Sequence, residues 1–97
     1  MSSIPRANLG EMLACFRALS DPTRLKVIEL LQSNEMCVGD ICDVLEIAQP
    51  KLSFHLKVLR ESKLLQTRQD GRWIYYRINP LQFNALSGYL TSSITEE

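Results

Sequence analysis

Three cysteines are the side chains of this sequence best suited to chemistry. Cys37 and Cys42 enclose the stretch CVGDIC, and Cys15 lies well upstream. The first four residues of that stretch have the form of a capping box, in which a helix N-cap is followed three residues later by an acid, here Asp40. Cysteine is a poor N-cap, but the helix dipole and the free backbone amides at that position favour its thiolate. Cys37 is therefore a candidate ligand for a soft metal or a candidate redox thiol.

Cys42 would follow Cys37 on the same short helix. Five residues correspond to about 140° of rotation on a regular helix, so the two sulfurs do not share a face unless the first turn is irregular. We therefore expect an inducer that binds both thiols to unwind that turn around the flexible Gly39.

A second helix is predicted to begin near Gln49. Leu52, Leu56 and Leu59 recur at helical spacing and predict its buried face. The opposite side projects basic, polar and aromatic side chains away from the core: Pro50, Lys51, Ser53, Phe54 and Lys57. On an ordinary amphipathic helix these side chains would form a solvated charged face. In a helix-turn-helix, which we assign to residues 37–62, they would enter the major groove of DNA.

The charge distribution favours DNA binding. Residues 49–77 hold seven basic and two acidic side chains, a net charge of +5, whereas the rest of the chain holds four basic and nine acidic ones, a net charge of −5. Basic charge gathered on one helix and one hairpin is typical of a nucleic-acid-binding face. We assign DNA contact to Gln49, Lys51, Ser53, Phe54, His55, Lys57, Arg60, Arg68 and Arg72.

Residues 64–78 predict a β-hairpin with Asp70-Gly71 in its tight turn. Strand alternation predicts that Ile74, Tyr76 and Ile78 point inward and that Trp73, Tyr75 and Arg77 point outward. The basic loop from Arg68 to Arg72 would form a wing, placed to hold phosphates or to enter the minor groove.

Helical spacing also predicts elements on either side of this region. The apolar positions Leu9, Met12, Leu13, Phe16 and Leu19 predict a helix over 9–19, with Cys15 at the margin of the stripe, where a free cysteine commonly packs as a small core residue. Asp21 as N-cap and Pro22 at the first helical position predict a helix that runs to about Gln32. A last helix over 80–92 has a wider apolar face than so small a core needs. We expect 9–19 and 80–92 to form a dimer interface across a two-fold axis.

Length and composition limit the remaining possibilities. A chain of 97 residues with 45% hydrophobic content is expected to form one domain over 1–97, with residues 1–8 loosely ordered. The sequence has neither a run of about eighteen apolar residues nor a signal peptide, so we expect a cytoplasmic protein with no membrane partner. An odd number of cysteines in a reducing compartment does not indicate a disulfide framework.

Four stretches of the sequence together resemble the ArsR-type family of bacterial winged-helix repressors, the arsenical and metal sensors. They are ALSDPTRLKVIELL, EMCVGDIC, QPKLSFHLKVLRES and DGRWIYYRINP, within residues 18–80. The resemblance implies a mainly α fold with a small β-hairpin, a winged helix-turn-helix of order α-α-α-α-β-β-α. It also implies a homodimer that represses transcription from an inverted-repeat operator in double-stranded DNA and is released by an inducer.

The metal-binding roles of the family's residues can be assigned to this sequence only at positions where the residues match. The arsenite-sensing pattern ELCVCDLC matches at Cys37 and Cys42, but Gly39 replaces its middle cysteine, and Cys15 would be the replacement ligand. The resemblance thus implies no permanent cofactor and As(III) or Sb(III) as the inducer, held by soft thiolates. The divalent-metal branch, with CVGD, implies Zn(II) or Cd(II) at Cys37, Asp40 and Cys15.

Two further family positions are not expected to bind metal. On the last helix, Pro80, Gln82 and Ser93 stand where a second family site has acidic and histidine ligands, so we predict no metal there. His55, the single histidine, matches the family's helix histidine, and we expect it to face DNA or to pack inside rather than to bind metal.

Other functions remain as alternatives to arsenite or divalent-metal sensing. In a redox repressor, oxidation of Cys37 to a disulfide with Cys42 or Cys15 would distort the helix-turn-helix. An enzyme with Cys37 as nucleophile and His55 as base is not expected, because no oxyanion hole is evident in the sequence. A salt-sensitive shift of duplex DNA would distinguish a repressor from an enzyme and from a protein-interaction module that does not bind DNA.

Overall fold

The computed structural model describes residues 8–94, which contain five helices and a small antiparallel sheet. The helices are α1 (Leu9–Ala18), α2 (Pro22–Leu31), α3 (Val38–Leu45), α4 (Gln49–Glu61) and α5 (Pro80–Ser92). The strands are β1 (Met36–Cys37), β2 (Leu65–Asp70) and β3 (Trp73–Ile78). The predicted mainly helical fold with a β-hairpin is confirmed. The loose order expected for 1–8 lies outside the described residues except at Asn8.

Polar side chains cap the N-termini of three of the helices. The Asp21 carboxylate accepts from the backbone N–H of Arg24 at 3.1 Å, and this hydrogen bond holds the pKa of Asp21 below its usual value. Pro22 follows at the start of α2, as the sequence predicts. Asn8 and Asn79 accept in the same way at the starts of α1 and α5. A cap of this kind stabilises a helix by about 1 kcal/mol.

The hydrophobic core lies between the helices and one face of the sheet. The predicted stripe on α4 is confirmed, because Leu52, Leu56 and Leu59 are at most 1% exposed. The core is completed by Met12, Cys15, Ala18, Val27, Ile28, Leu31, Ile41, Leu64, Leu65 and Leu86. Tyr76 and Ile78 pack against it as predicted, but Ile74 is 45% exposed, because it lies near the tip of the hairpin and beyond the core.

A two-residue strand, β1, is added to the predicted hairpin. It pairs with β3 at Met36 with Tyr76 and at Cys37 with Tyr75, so the sheet order is β1-β3-β2. Two residues are too few to show the alternation that identifies a strand in a sequence. The chain therefore enters α3 directly from the sheet.

The turn of the hairpin lies one residue further along than its sequence predicts. The last cross-strand pair is Asp70 with Trp73, so Gly71 and Arg72 occupy the two central positions. Gly71 has a φ of 63°, which a glycine adopts readily and which the first central position of a type II′ turn requires. This register places Arg72 at the tip of the wing.

Apolar side chains remain exposed on the two terminal helices. Leu9 and Leu13 on α1 are 71% and 46% exposed, and Leu81 and Leu90 on α5 are 77% and 50% exposed. The helices also contact each other, with the rings of Phe16 and Tyr89 centred 6.1 Å apart.

Across residues 8–94, none of the helices has both the length and the apolar character needed to cross a bilayer.

Candidate nucleic-acid interface and thiol site

The outer face of α4 carries the predicted recognition residues into solvent. Gln49, Lys51, Ser53, Phe54, Lys57 and Arg60 are all exposed, as is Pro50. Phe54 is 59% exposed although its side chain is apolar. The buried leucine stripe fixes the rotation of the helix, so these side chains project together. They offer basic groups for phosphates and an aromatic ring for apolar contact with a base edge.

Arg60 lies at the far end of this face, beside the base of the wing. It lines an open cleft of about 370 Å³ together with two other basic residues, Lys63 and Arg77, and with Leu65, Gln66, Thr67 and Asn79. Lys63 also donates to the carboxylate of Glu11 at 3.1 Å, so part of its charge is balanced within the chain. The positive charge of α4 thus continues through Lys63 to Arg77 on β3.

His55 does not belong to the exposed face, which corrects its assignment to DNA contact. Only 7% of it is exposed, and its Nδ1 lies 3.1 Å from a guanidinium nitrogen of Arg24 and 3.9 Å from the carboxylate of Asp21. Arginine has no acceptor, so His55 Nδ1 accepts this hydrogen bond. The Nε of Arg24 also donates to the carbonyl of Ala18 at 2.7 Å. His55 therefore connects the recognition helix to the start of α2.

The two predicted phosphate contacts of the wing differ in their surroundings. Arg72 is exposed at the turn. Arg68 donates from Nε to both carboxylate oxygens of Glu35, at 3.0 and 3.1 Å, and its guanidinium lies 4.7 Å from the ring centroid of Tyr75. The hydrogen bond between them lowers the pKa of Glu35 and raises the pKa of Arg68. Glu35 was missed in the sequence, because 33 positions separate it from its partner.

Cys37 is the residue at which β1 ends and α3 begins. Its backbone is extended, with φ −84° and ψ 166°, and within the described chain its side chain makes no cap hydrogen bond. Its predicted N-cap position is thus confirmed. As the N-cap, Cys37 precedes the first helical residue, Val38, so its sulfur is not confined to a helical direction. Cys42 lies within α3 and packs, half-buried, against the core.

Two other residues of α3 are exposed to solvent. Asp40 is exposed in the first turn, where an acid is favourable to the helix dipole. Val44 is 57% exposed although its side chain is apolar. The helix buries Ile41 completely and leaves its far side in solvent.

Cys15 lies inside the core, apart from the other two thiols. It is fully buried, with its Sγ 3.5 Å from the carbonyl oxygen of Ser62 and 3.4 Å from Nε2 of Gln82. Burial raises the pKa of Cys15. Among residues 8–94, no three His, Cys, Asp or Glu side chains are grouped closely enough to hold a metal ion. A single chain therefore assembles neither expected set, the three cysteines or Cys37, Asp40 and Cys15.

Comparisons with known proteins agree with this geometry. Residues 21–67 match the family model for bacterial regulatory proteins of the arsR family. The chain is 48% identical over 66 residues to the arsenical resistance operon repressor of Escherichia coli (strain K12), an alignment that covers 67% of this chain and 56% of that protein. It is 40% identical over 72 residues to the arsenical resistance operon repressor of Bacillus subtilis (strain 168), which covers 73% of this chain and 69% of that one. The chain thus spans little more than half of the first repressor's length.

Solved structures show the same fold. A crystal structure of an ArsR family transcriptional regulator superposes with a TM-score of 0.81 at 25% identity, covering 92% of each chain. The homodimeric winged helix-turn-helix DNA-binding domain of a possible ArsR-family regulator from Mycobacterium bovis superposes with a TM-score of 0.73 at 23% identity. That match covers 89% of this chain and 78% of the other. The predicted winged helix-turn-helix is confirmed.

Proposed function

This chain belongs to the ArsR family of bacterial transcriptional regulators, and from that premise we propose that it is a repressor released from its operator by As(III) or Sb(III). The inducer would bind the thiolates of Cys37 and Cys42. The observation that carries this proposal is the position of Cys37, which ends a strand of the wing sheet and occupies the N-cap position of the first helix of the helix-turn-helix. Any ligand bound there acts on both DNA-binding elements.

The DNA side of the proposal is supported by the exposed face of α4 and by the wing beside it. Lys51, Ser53, Phe54 and Lys57 would read base edges and phosphates in the major groove, and Arg72 would hold a phosphate at the minor groove. The exposed leucines of α1 and α5 support assembly into a homodimer. Two recognition helices related by a two-fold axis require an inverted-repeat operator, with half-sites about one helical turn apart.

Binding of the inducer at Cys37 and Cys42 is supported by the preference of soft ions for thiolates and by the solvent access of these two side chains. Cys37 and Cys42 are free cysteines with half-buried side chains, whereas Cys15 is enclosed in the core. Thiolates are the protein ligands that soft ions prefer, and the cytoplasm, where we place this protein, keeps them reduced. Two thiolates fill two of the three positions expected from the family resemblance, and the third would be filled from outside the described chain.

Release then follows from differential affinity. A ligand shifts a protein toward the state that it binds more tightly. In the described state α3 is helical from Val38 onward. If both sulfurs must approach one ion, the state with an unwound first turn binds that ion better. In that state, the connection at Cys37 between the helix-turn-helix and the wing sheet is lost.

The test is release of a bound operator duplex, followed by fluorescence anisotropy under reducing conditions. Arsenite or antimonite should release the unmodified protein, and Cys37→Ser should keep its DNA affinity but resist release, because serine is the better N-cap. Cys42→Ser should impair release strongly, and Cys15→Ala is the matched control that should respond normally. Arsenite release that survives Cys37→Ser would contradict the site. Release by zinc or cadmium alone would favour divalent sensing, and release by peroxide alone would favour redox sensing.

A further inference from the structure

An ion pair between Arg68 and Glu35 links the wing to the chain two residues ahead of Cys37. The Glu35 carboxylate accepts two hydrogen bonds from Arg68 Nε and another from a terminal nitrogen of the same guanidinium. Both side chains are partly buried, 32% exposed for Glu35 and 39% for Arg68. A bidentate pair with restricted solvent access is the kind of ion pair that contributes measurably, unlike a fully exposed one.

Tyr75 places this ion pair in register with Cys37. It is the cross-strand partner of Cys37 on one side and of Arg68 on the other. Directly opposite residues of an antiparallel sheet share a face, so Cys37, Tyr75 and Arg68 form one row across the three strands. The guanidinium of Arg68 stacks over the Tyr75 ring and is held there by Glu35, two residues before Cys37.

We infer that Glu35 is a positioning residue for DNA binding: it fixes the wing through Arg68 and Tyr75 and makes the strand that carries Cys37 part of the wing's support. This inference rests on the proposed function only in that the wing contacts DNA. β1 is only two residues long, so its backbone pairing alone is a weak attachment. The ion pair adds a side-chain attachment to this pairing and to the packing of Met36 against the core. A displacement of Cys37 would carry Glu35 with it and leave Arg68 with only Asp70, on its own strand 3.6 Å away, as an acidic partner among the described residues.

An alternative role for Arg68 gives opposite results. If Arg68 were a phosphate contact, as the sequence suggested, Glu35 would be a competitor that neutralises it. Removing the carboxylate would then release a cation to DNA, tightening binding and steepening the salt dependence by about 0.9, the counterion release for each neutralised phosphate. The two roles can therefore be separated by the sign of one measurement.

The experiment compares Glu35→Gln with the unmodified full chain in operator binding across a range of salt. If Glu35 is a positioning residue, Glu35→Gln should lower the affinity for the operator roughly two- to tenfold. The salt slope should stay unchanged, because no phosphate contact is lost. Glu29→Gln is the matched control, since it removes the same charge from an exposed position on α2. Unchanged affinity, tighter binding or a changed salt slope would each overturn the inference.

A double variant tests whether Glu35 acts through Arg68. If it does, Glu35→Gln combined with Arg68→Gln should bind DNA no more weakly than Arg68→Gln alone, because the two changes remove the same contact. Additive losses would show that Glu35 acts by another route and would overturn the inference.

A measurement without DNA separates this inference from the proposed function. Trp73 is the single tryptophan of the chain, and it is 58% exposed at the first position of β3. Its fluorescence anisotropy should fall in Glu35→Gln while the helical circular dichroism stays constant, because the wing gains mobility without unfolding. Failure of arsenite to release DNA would contradict the inducer alone, whereas unchanged Trp73 anisotropy would contradict the role of Glu35 alone.

Discussion

The thiol of Cys15 in α1 lies 3.5 Å from the carbonyl oxygen of Ser62, the residue that caps the end of α4. Gln82 in α5 donates to the same oxygen at 2.9 Å. One carbonyl at the end of the recognition helix therefore receives hydrogen-bond donors from both helices proposed to form the dimer interface. The orientation of the two recognition helices in a dimer would follow directly from how α1 and α5 pack.

Cys15 should be the unreactive thiol of the three. In the native protein at neutral pH, iodoacetamide should label Cys37 and Cys42 but not Cys15, because burial excludes the reagent and disfavours the thiolate. Peptide mapping by mass spectrometry measures this, with the urea-unfolded chain as the control in which all three react. Rapid native labelling of Cys15 would show that α1 opens on the timescale of the reaction.

The raised pKa of Cys15 also predicts a pH dependence of stability. The folded chain holds this proton more tightly than the unfolded chain, so its stabilising contribution is complete below about pH 8.5, the usual thiol value, and is lost as pH rises. Cys15→Ala should therefore show a smaller decline in its urea midpoint between neutral and alkaline pH. An identical decline in both proteins would assign the pH dependence to other groups.

Gly39→Cys should strengthen the response to arsenite. Apart from its chain neighbours and the backbone of its own helix, an added Cβ at Gly39 would meet no atom of residues 8–94 within 4 Å, so the position accepts a side chain without a clash. The substitution would complete the three-cysteine pattern that the family resemblance implies for arsenite sensing and supply a third thiolate. The arsenite concentration for half release should fall by roughly tenfold or more, if one extra ligand contributes at least about 1.4 kcal/mol. Gly39→Ala separates this gain from improved helix propensity, and an equal shift in both variants would contradict the third-ligand explanation.

Arg72→Ala should weaken binding to every duplex alike. If Arg72 holds one phosphate, the slope of log affinity against log salt should become shallower by about 0.9. Phe54→Ala should instead change the preference among operator sequences, because an apolar ring on the recognition helix contacts base edges rather than phosphates. Competition titrations with operator and scrambled duplexes distinguish the two. An unchanged salt slope would remove Arg72 from the phosphate contacts, and a uniform loss in Phe54→Ala would argue against base readout.

Leu90→Glu should yield monomers. Leu90 is 50% exposed on α5, so a charge there spares the core of one chain but would be buried in the proposed interface. Sedimentation should show dissociation, and binding to a two-half-site operator should be lost. Val44→Glu is the matched control, because Val44 is 57% exposed but lies on α3. An intact Leu90→Glu dimer would place the interface elsewhere. Leu86 is unsuitable for this test, because it is only 6% exposed and supports the chain's own fold.

Features encoded by local sequence were predicted well. The Asp21 cap, the Leu52-Leu56-Leu59 stripe and the exposed face of α4 each depend on residues within two or three turns of one helix. Their patterns are therefore readable without knowledge of the rest of the fold.

Features that depend on distant parts of the chain were not predictable. The apolar stripe of α1 suggested that Leu13 faces the core and that Cys15 lies at its margin, yet Leu13 is 46% exposed and Cys15 is fully buried. A helix with apolar residues on two sides does not reveal which side its own chain covers. The Glu35 and Arg68 pair depends in the same way on a strand of two residues that exists only because β3 provides its partner.

The shortness of β1 has a consequence for the speed of the proposed response. A strand of two residues has few hydrogen bonds to lose, each with a net contribution of about 1 kcal/mol, whereas unfolding a whole domain requires about 5 to 15 kcal/mol. We expect so small a unit to open locally many times during the lifetime of the folded chain. The strand that carries Cys37 would then detach and reattach while the core remains intact. The delay between exposure to an inducer and derepression would then be set by the arrival of the ion and its thiol chemistry, with no wait for the protein to unfold.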